Sequence, residues 1–176
     1  MKLCLSKPNI DFAKFQHRVS PELVRGRAVC CPYRLYKMKK AGITQIIDLR
    51  NSARVTNRIE KFFCKLFGIK YHNFKYPHRL NGIPNHDFFE SINKTIAEND
   101  GQTYIHCTHG KKRTGVCVAL FEFLRLHKSR QDIVSELFER GFTEIMTKKS
   151  LKRQKNAQSI LDDLNRRYFC KSEKPC

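Results

Sequence analysis

Four stretches of the chain, ELVRGRAV, ITQIIDLR, IKYHNFKY and QTYIHC, have the length and the apolar or alternating pattern of β-strands, and ITQIIDLR is apolar enough to be a buried one. Helical stretches separate them. PYRLYKMKKAG predicts a helix that opens on Pro32 and stops at Gly42. TNRIEKFFCKLFG sets Ile59, Phe62, Phe63 and Leu66 at helical spacing and ends at Gly68. Asn85 is placed to cap a helix over HDFFESINKTIAEN. RTGVCVALFEFLRLH and RQDIVSELFERG continue the series, and SLKRQKNAQSILDDLNRRY closes it with Ile160, Leu161 and Leu164 as a packing face. YPHRLNGIPN reads as a loop by its Pro, Asn and Gly content. Strands that alternate with helices predict an α/β layer fold with a mainly parallel sheet. Ligands of such sheets bind beyond the carboxyl ends of the strands.

No internal repeat, low-complexity tract or linker interrupts this pattern. Residues 1–20 are expected as an N-terminal extension, 21–169 as one domain and 170–176 as a short tail. A chain of 176 residues, 40% apolar with 13 Phe and 6 Tyr, suits one packed domain and argues against disorder. Charge adds something the pattern does not carry. A formal net charge of +19 attracts polyanions, whether RNA, anionic lipid headgroups or polyphosphorylated small molecules. The plainer alternative is a set of solvated, lysine-rich helix faces. The segment from Lys148 to Lys155 holds five basic residues in eight and could grip either nucleic acid or an acidic membrane. No aromatic-rich groove favours single-stranded nucleic acid. None of the 8 cysteines forms a CxxC pair, so no zinc site is expected, and the reading calls for no cofactor. No secretory signal is visible, so the thiols are expected reduced and the protein cytoplasmic, with the nucleus open to it as well. GVCVALFEFL is short and carries Glu122, so no membrane span is expected.

The chemistry concentrates in HCTHGKKRTG, residues 106–115, between the strand QTYIHC and the helix that follows. A helix N-terminus lowers the pKa of a nearby thiol, which makes Cys107 a candidate nucleophile. The amides from Thr108 to Arg113 can curl around one anion, with Gly110 supplying the backbone freedom for the curl. The planar fork of Arg113 can hold two phosphoryl oxygens, with Cys107 in line beneath the phosphorus. Attack would give a phosphocysteine that water then hydrolyses, and Thr114 could hydrogen-bond the sulfur as it leaves. His106 is expected to point into the structure and fix the loop. His109 either meets substrate or steadies loop carbonyls, and Lys111 and Lys112 either face further phosphates or form a solvated loop top. Cys117, one turn beyond the loop, is expected to pack as a small apolar residue. Cys64 is a candidate to protect Cys107 as a disulfide under oxidation. Asp48 and Arg50, at the end of a predicted strand, are expected as an ion pair supporting the loop.

His106, Cys107, Gly110, Arg113, Thr114 and Gly115 match, one by one, the signature HCxxGxxR(S/T)G, and the chain from about residue 20 to 165 resembles the cysteine-dependent protein tyrosine phosphatases, in particular their compact dual-specificity branch. The upstream piece VRGRAVCCPYRLYKMKKAGITQIIDLR is similar to that family's entry segment. The resemblance implies a small twisted sheet of about four to five strands flanked by helices, metal-independent chemistry and a phosphorylated protein as substrate. It also implies an Asp general acid about thirty residues before the cysteine. Here the loop departs from the pattern, because no acid occurs from Lys70 to His86. Asp87 is the nearest carboxyl and would ordinarily complement a helix dipole. His78 lies near the expected place and could donate a proton or bind phosphate. A phenol leaves with a pKa near 10 and needs that proton, whereas a phosphate leaving from an anhydride, with a pKa of about 6, does not. HCTHG…RTG is similar to the RNA 5′-triphosphatases of the capping type, which also lack the loop Asp, and GKKRTG resembles both the atypical plant and fungal dual-specificity enzymes linked with inositol pyrophosphates and the lysine-containing loops of phosphoinositide phosphatases, so these are the alternatives. A phosphate-binding module without catalysis is a further one, which the joint presence of Cys107 and Arg113 argues against.

Overall fold

The computed structural model of the chain describes residues 16–51, 55–77, 84–140, 162 and 164–169. The elements follow as β1 (Gln16–Arg18), β2 (Leu23–Arg27), α1 (Pro32–Lys40), β3 (Ile43–Asp48), α2 (Val55–Leu66), β4 (Lys70–Asn73), α3 (His86–Ala97), β5 (Gln102–Cys107), α4 (Lys112–Leu126) and α5 (Arg130–Glu139), with a π-helical turn at Asn165–Phe169. The sheet runs β1-β2-β5-β3-β4. β2, β5, β3 and β4 are parallel, and β1 joins β2 antiparallel. The alternation of strands and helices thus gives the mainly parallel sheet it predicts. The sheet also reaches into the stretch expected as an extension, since Gln16–Arg18 pair with Val24–Gly26. A three-residue edge strand is too short for period-two alternation to reveal.

Local chemistry sets the element ends. Pro32 opens α1, where its missing N–H costs nothing, Lys37, Lys39 and Lys40 face the negative end of the helix, and Gly42 takes a φ of 94° just beyond. The Asn85 side chain accepts from the Phe88 amide and caps α3.

Two cores sandwich the sheet. Leu35 and Met38 of α1 and Cys64 of α2 pack with Ile46 and Tyr104 on one face. α3, α4 and α5 cover Ile47 and Ile105 on the other, with Leu164 and Tyr168 added from the chain's end. Successive strand residues go to opposite cores, which is why the central strands read as nearly continuous apolar runs. α4 is buried continuously from Thr114 to Glu122, as a central helix must be. Its one buried acid, Glu122, meets Lys128 Nζ at 2.6 Å.

α2 forms where the spacing predicts, but it is turned over. Asn57, Glu60 and Cys64 face inward and Phe63 packs partly buried against the same core, while Val55, Ile59, Phe62 and Leu66 are exposed. The cause is charge, because Arg50 and His106 bind Glu60 beneath the helix. The same geometry corrects the expected Cys64–Cys107 protection: the two thiols belong to different cores, on opposite faces of the sheet. The predicted closing helix lies mostly outside the described residues, as do Ile160, Leu161 and the basic run from Lys148 to Lys155.

Candidate active site

β5 is the central strand, and it leaves the sheet toward α4 on one face, whereas its neighbours β2 and β3 leave toward α1 and α2 on the other. Chains diverge there and open a crevice at the carboxyl ends of the strands. Cys107 is the last residue of β5, in register with Arg27 of β2, and His106 stands beside Asp48 of β3. Cys107 is buried, and Thr108 and His109 are exposed above it. Burial alone would push its thiol up. The Thr114 hydroxyl and the amides of Thr114, His109 and Gly110 outweigh that, so its pKa lies below the ordinary value. Burial pushes Cys64 up to about 12 and also raises Cys30 and Cys117. Only Cys107 among these four is tuned toward thiolate. The buried Thr114 hydroxyl exerts its pull on the sulfur from a position that makes no hydrogen bond of regular geometry. Its O–H is near enough to donate to the sulfur.

Arg113, in the first turn of α4, donates from Nη1 to the Leu49 carbonyl at 3.1 Å. One edge of the fork is thereby fixed by β3's exit, and the other N–H groups remain to serve an anion over the loop. Lys111 and Lys112 sit half-buried at the entry to the same helix. Gly110 has a φ of 71°, and a Cβ on it would lie 2.4 Å from the Gly26 carbonyl oxygen. The loop can close over β2 only with glycine there.

The loop's underside is held by buried charge. Arg50 pairs with Asp48 through Nε at 2.8 Å and Nη2 at 2.8 Å, and through Nη2 with Glu60. The Tyr71 hydroxyl donates to Asp48 at 2.6 Å. His106 turns away from the loop into this cluster, with Nε2 3.1 Å from Glu60 and Nδ1 3.9 Å from Asp48. Nε2 is at ion-pair distance but off the angle of a regular hydrogen bond. Burial would lower the pKa of His106, yet Glu60 first and then Asp48 raise it. Two carboxylates and one guanidinium leave a net negative charge that a protonated His106 cancels. Asp48, Glu60 and His106 bring ligand atoms within 4.8 Å of one another, a spacing that could suit a metal ion. Arg50 already spans the two carboxylates, so this donor set has a cation built into the chain and does not fit a metal.

Arg25 is buried on β2 and donates from Nη2 to the carbonyl of Gly110 at 3.0 Å and of Lys111 at 3.5 Å. Turning those carbonyls outward leaves the loop amides facing in. Burial and then Arg140 pull the Arg25 guanidinium down, while Glu122 and Glu136 support its charge. Tyr76 is buried within electrostatic reach of Cys107 and Arg113, and its ring packs on Phe88 at the start of α3. Arg25, Glu60 and Tyr76 are invisible to motif reading. A charged residue inside a buried strand, as in LVRGR, is the one signal that singles out Arg25.

Asp87 lies exposed in the first turn of α3, where its Oδ2 accepts from Asn85 Nδ2 at 3.4 Å. Among the described contacts none joins it to the Cys107 loop. His78 lies outside the described residues. Cys117 is buried in the α3–α5 core as a small apolar residue.

A family model described as the tyrosine phosphatase family matches residues 32–169. No curated protein sequence matches the chain. Among solved structures, TpbA of P. aeruginosa in complex with pTyr is similar with a TM-score of 0.66 at 14% identity, over 93% of this chain and 94% of its own. The core catalytic domain of the PP-IP phosphatase SIW14 from S. cerevisiae, in complex with citrate, is similar with a TM-score of 0.62 at 21% identity, over 91% and 94%. PTPMT1 is similar with a TM-score of 0.59 at 15% identity, over 86% and 99%. At these identities the likeness to the solved structures is one of fold.

Proposed function

The chain belongs to the tyrosine phosphatase family, and on that footing we propose a cysteine-dependent phosphatase that works through a phosphocysteine intermediate. The observation that carries this reading is the buried Cys107, whose sulfur receives the loop amides and whose pKa is lowered against the cost of burial. The thiolate attacks phosphorus, an S–P bond forms, and the P–O bond to the leaving group breaks with its electron pair on oxygen. Arg113 and the loop amides hold the three equatorial oxygens as charge spreads over them. Water then attacks the phosphocysteine, the S–P bond breaks, and Thr114 stabilises the departing thiolate. Arg25 and His106 act as positioning residues, the first through loop carbonyls and the second through the buried charge cluster.

For the substrate, a phosphorylated protein of the tyrosine or dual-specificity kind is the first reading, supported by the family. A specific observation favours a second. No carboxyl occurs between Lys70 and His86, and Asp87 is engaged at a helix start. Lys111 and Lys112 flank the loop entry. Anhydrides, such as an inositol pyrophosphate or an RNA 5′-triphosphate, need no proton donor and gain from those cations. RNA stays in this reading as a polyanion drawn by the basic surface, while a phosphoinositide, being an ester, shares with it only the attraction to Lys111 and Lys112.

Purified protein is offered an aryl phosphate, a phosphotyrosine peptide, an inositol pyrophosphate and a 5′-triphosphate RNA. Phosphate release is expected with at least one of them, and Cys107→Ser should lower it by about 10³-fold or more. An acid-quenched phospho-adduct on Cys107 is expected in the wild type. Faster release from the peptide selects the ester reading, and faster release from either anhydride selects the second. A Cys107→Ser protein with wild-type turnover overturns both.

A further inference from the structure

The inverted helix α2 carries an unassigned surface. At about 100° per residue, Val55, Ile59, Phe62 and Leu66 form one stripe, on the side of the helix opposite the buried Asn57, Glu60 and Cys64. The stripe is open to solvent, with Phe62 and Leu66 62% and 64% exposed. It is continuous with α1. Phe62 meets Phe63, Phe63 stacks on Phe67, and Phe67 meets Tyr36 with ring centroids 5.2, 6.1 and 6.0 Å apart. Tyr33 and Tyr36 are also exposed on α1.

The charge around this patch has one sign. Arg58, Lys61 and Lys65 are exposed along one flank of the stripe, and Lys37 and Lys40 are exposed on α1. Glu60 is the single acid in the two helices, and it is buried against Arg50. Lys37 Nζ lies over the Tyr33 ring, 5.2 Å from its centre, and Lys40 Nζ over that of Tyr36 at 5.8 Å, so the cations border the aromatic residues of the patch directly. An apolar stripe with aromatic residues and a one-signed cationic border is the pattern of a helix that lies in a membrane interface. Phe, Leu and Tyr enter the headgroup boundary while the cations meet anionic headgroups. Among the described residues no helix is long and apolar enough to cross a membrane, so contact along a surface is the geometry the helices allow.

We propose that the α1–α2 face docks the protein peripherally on an anionic lipid bilayer. The inference does not depend on which phosphate the Cys107 loop removes. α2 runs from the carboxyl end of β3 back toward its start, so the stripe begins at the end of the sheet that carries the loop. A docked molecule would hold its active site at one end of the footprint, beside the membrane.

The test is sedimentation of the full chain with phosphatidylcholine vesicles, with and without about 30% phosphatidylserine, on the scale of surface charge that draws basic segments. Phe62→Ser/Leu66→Ser leaves the net charge intact and is compared with Lys61→Glu/Lys65→Glu. Thermal melts and turnover of a soluble aryl phosphate report that each variant is folded. Binding to the anionic vesicles is expected for the wild type, weakened about 10–100-fold by the apolar pair and about tenfold or more by the charge reversal. An apolar-pair variant that binds like the wild type would reduce the effect to general attraction by a basic protein and overturn the proposal. So would a wild type that stays in the supernatant at low salt. A dimer in solution that dissociates in Phe62→Ser/Leu66→Ser, without vesicle binding by the wild type, would assign the face to a second copy instead.

Discussion

Gly110 shows how little room the loop leaves. Its φ is positive, and a Cβ there would come within 2.4 Å of the Gly26 carbonyl oxygen, so no side chain has a place. The obstacle is backbone, which cannot swing aside. Gly110→Ala must lift the loop off β2. That would draw the Gly110 carbonyl from Arg25 and the Gly110 amide from the Cys107 sulfur together. We expect kcat/KM on an aryl phosphate to fall about 10²-fold or more, as a displacement near 1 Å does, and stability to fall by about 1–3 kcal/mol. Steady-state kinetics and a thermal melt check both. A variant with wild-type turnover would mean that the loop is not held through this contact.

Among the elements, Glu60 ties α2 to the ends of β3 and β5. It meets Arg50, His106 and the Val29 amide. The native state therefore holds a proton on His106 more tightly than the unfolded chain does. Its contribution to stability is whole below the unfolded value of 6.5 and is lost as pH rises through the raised folded value. Asp48 works the other way. Burial opposes its charge, but Arg50, His106 and Tyr71 hold its pKa below 3.8, so its contribution is present above that value and lost only in acid. Glu60→Gln removes the principal partner of the His106 charge. We expect a loss of about 3–5 kcal/mol near pH 6, as for a broken buried pair. The fall in melting temperature between about pH 6 and about pH 9 should also be shallower than in the wild type. Parallel melting curves against pH in the two proteins would place the His106 proton elsewhere.

The whole molecule carries a formal charge of +19, and Lys111, Lys112 and Arg113 stand at the start of α4, beside Cys107. Such a field raises the encounter rate of polyanions more than that of a single phosphate, and salt removes the advantage. Between about 50 mM and about 500 mM salt, we expect kcat/KM for a polyphosphorylated substrate to drop about tenfold or more, and that for an aryl phosphate by only about 2–3-fold. Equal salt slopes for the two would show that the charge serves solubility or docking and not substrate capture.

The α/β alternation, the caps at Pro32 and Asn85 and the candidate phosphate loop at residues 106–115 are written in the amino-acid order. These are local matters: turn chemistry, helix ends and the spacing of Cys107, Gly110 and Arg113 lie within a few residues of one another, so no distant contact is needed to read them. The ion pair of Asp48 and Arg50 is readable for the same reason, being two residues apart at a strand end. What joins distant residues is not. Arg25 reaches Gly110 across 85 positions of sequence, and only the parallel pairing of β2 with β5 brings them together. The face that α2 buries is set by the charge waiting beneath it. Periodicity reads hydrophobicity along a helix, but the sheet supplies Arg50 and His106, and pairing a buried charge outweighs hiding a phenylalanine. Packing against the sheet therefore separates Cys64 from Cys107 and leaves an apolar stripe on the outside of the molecule.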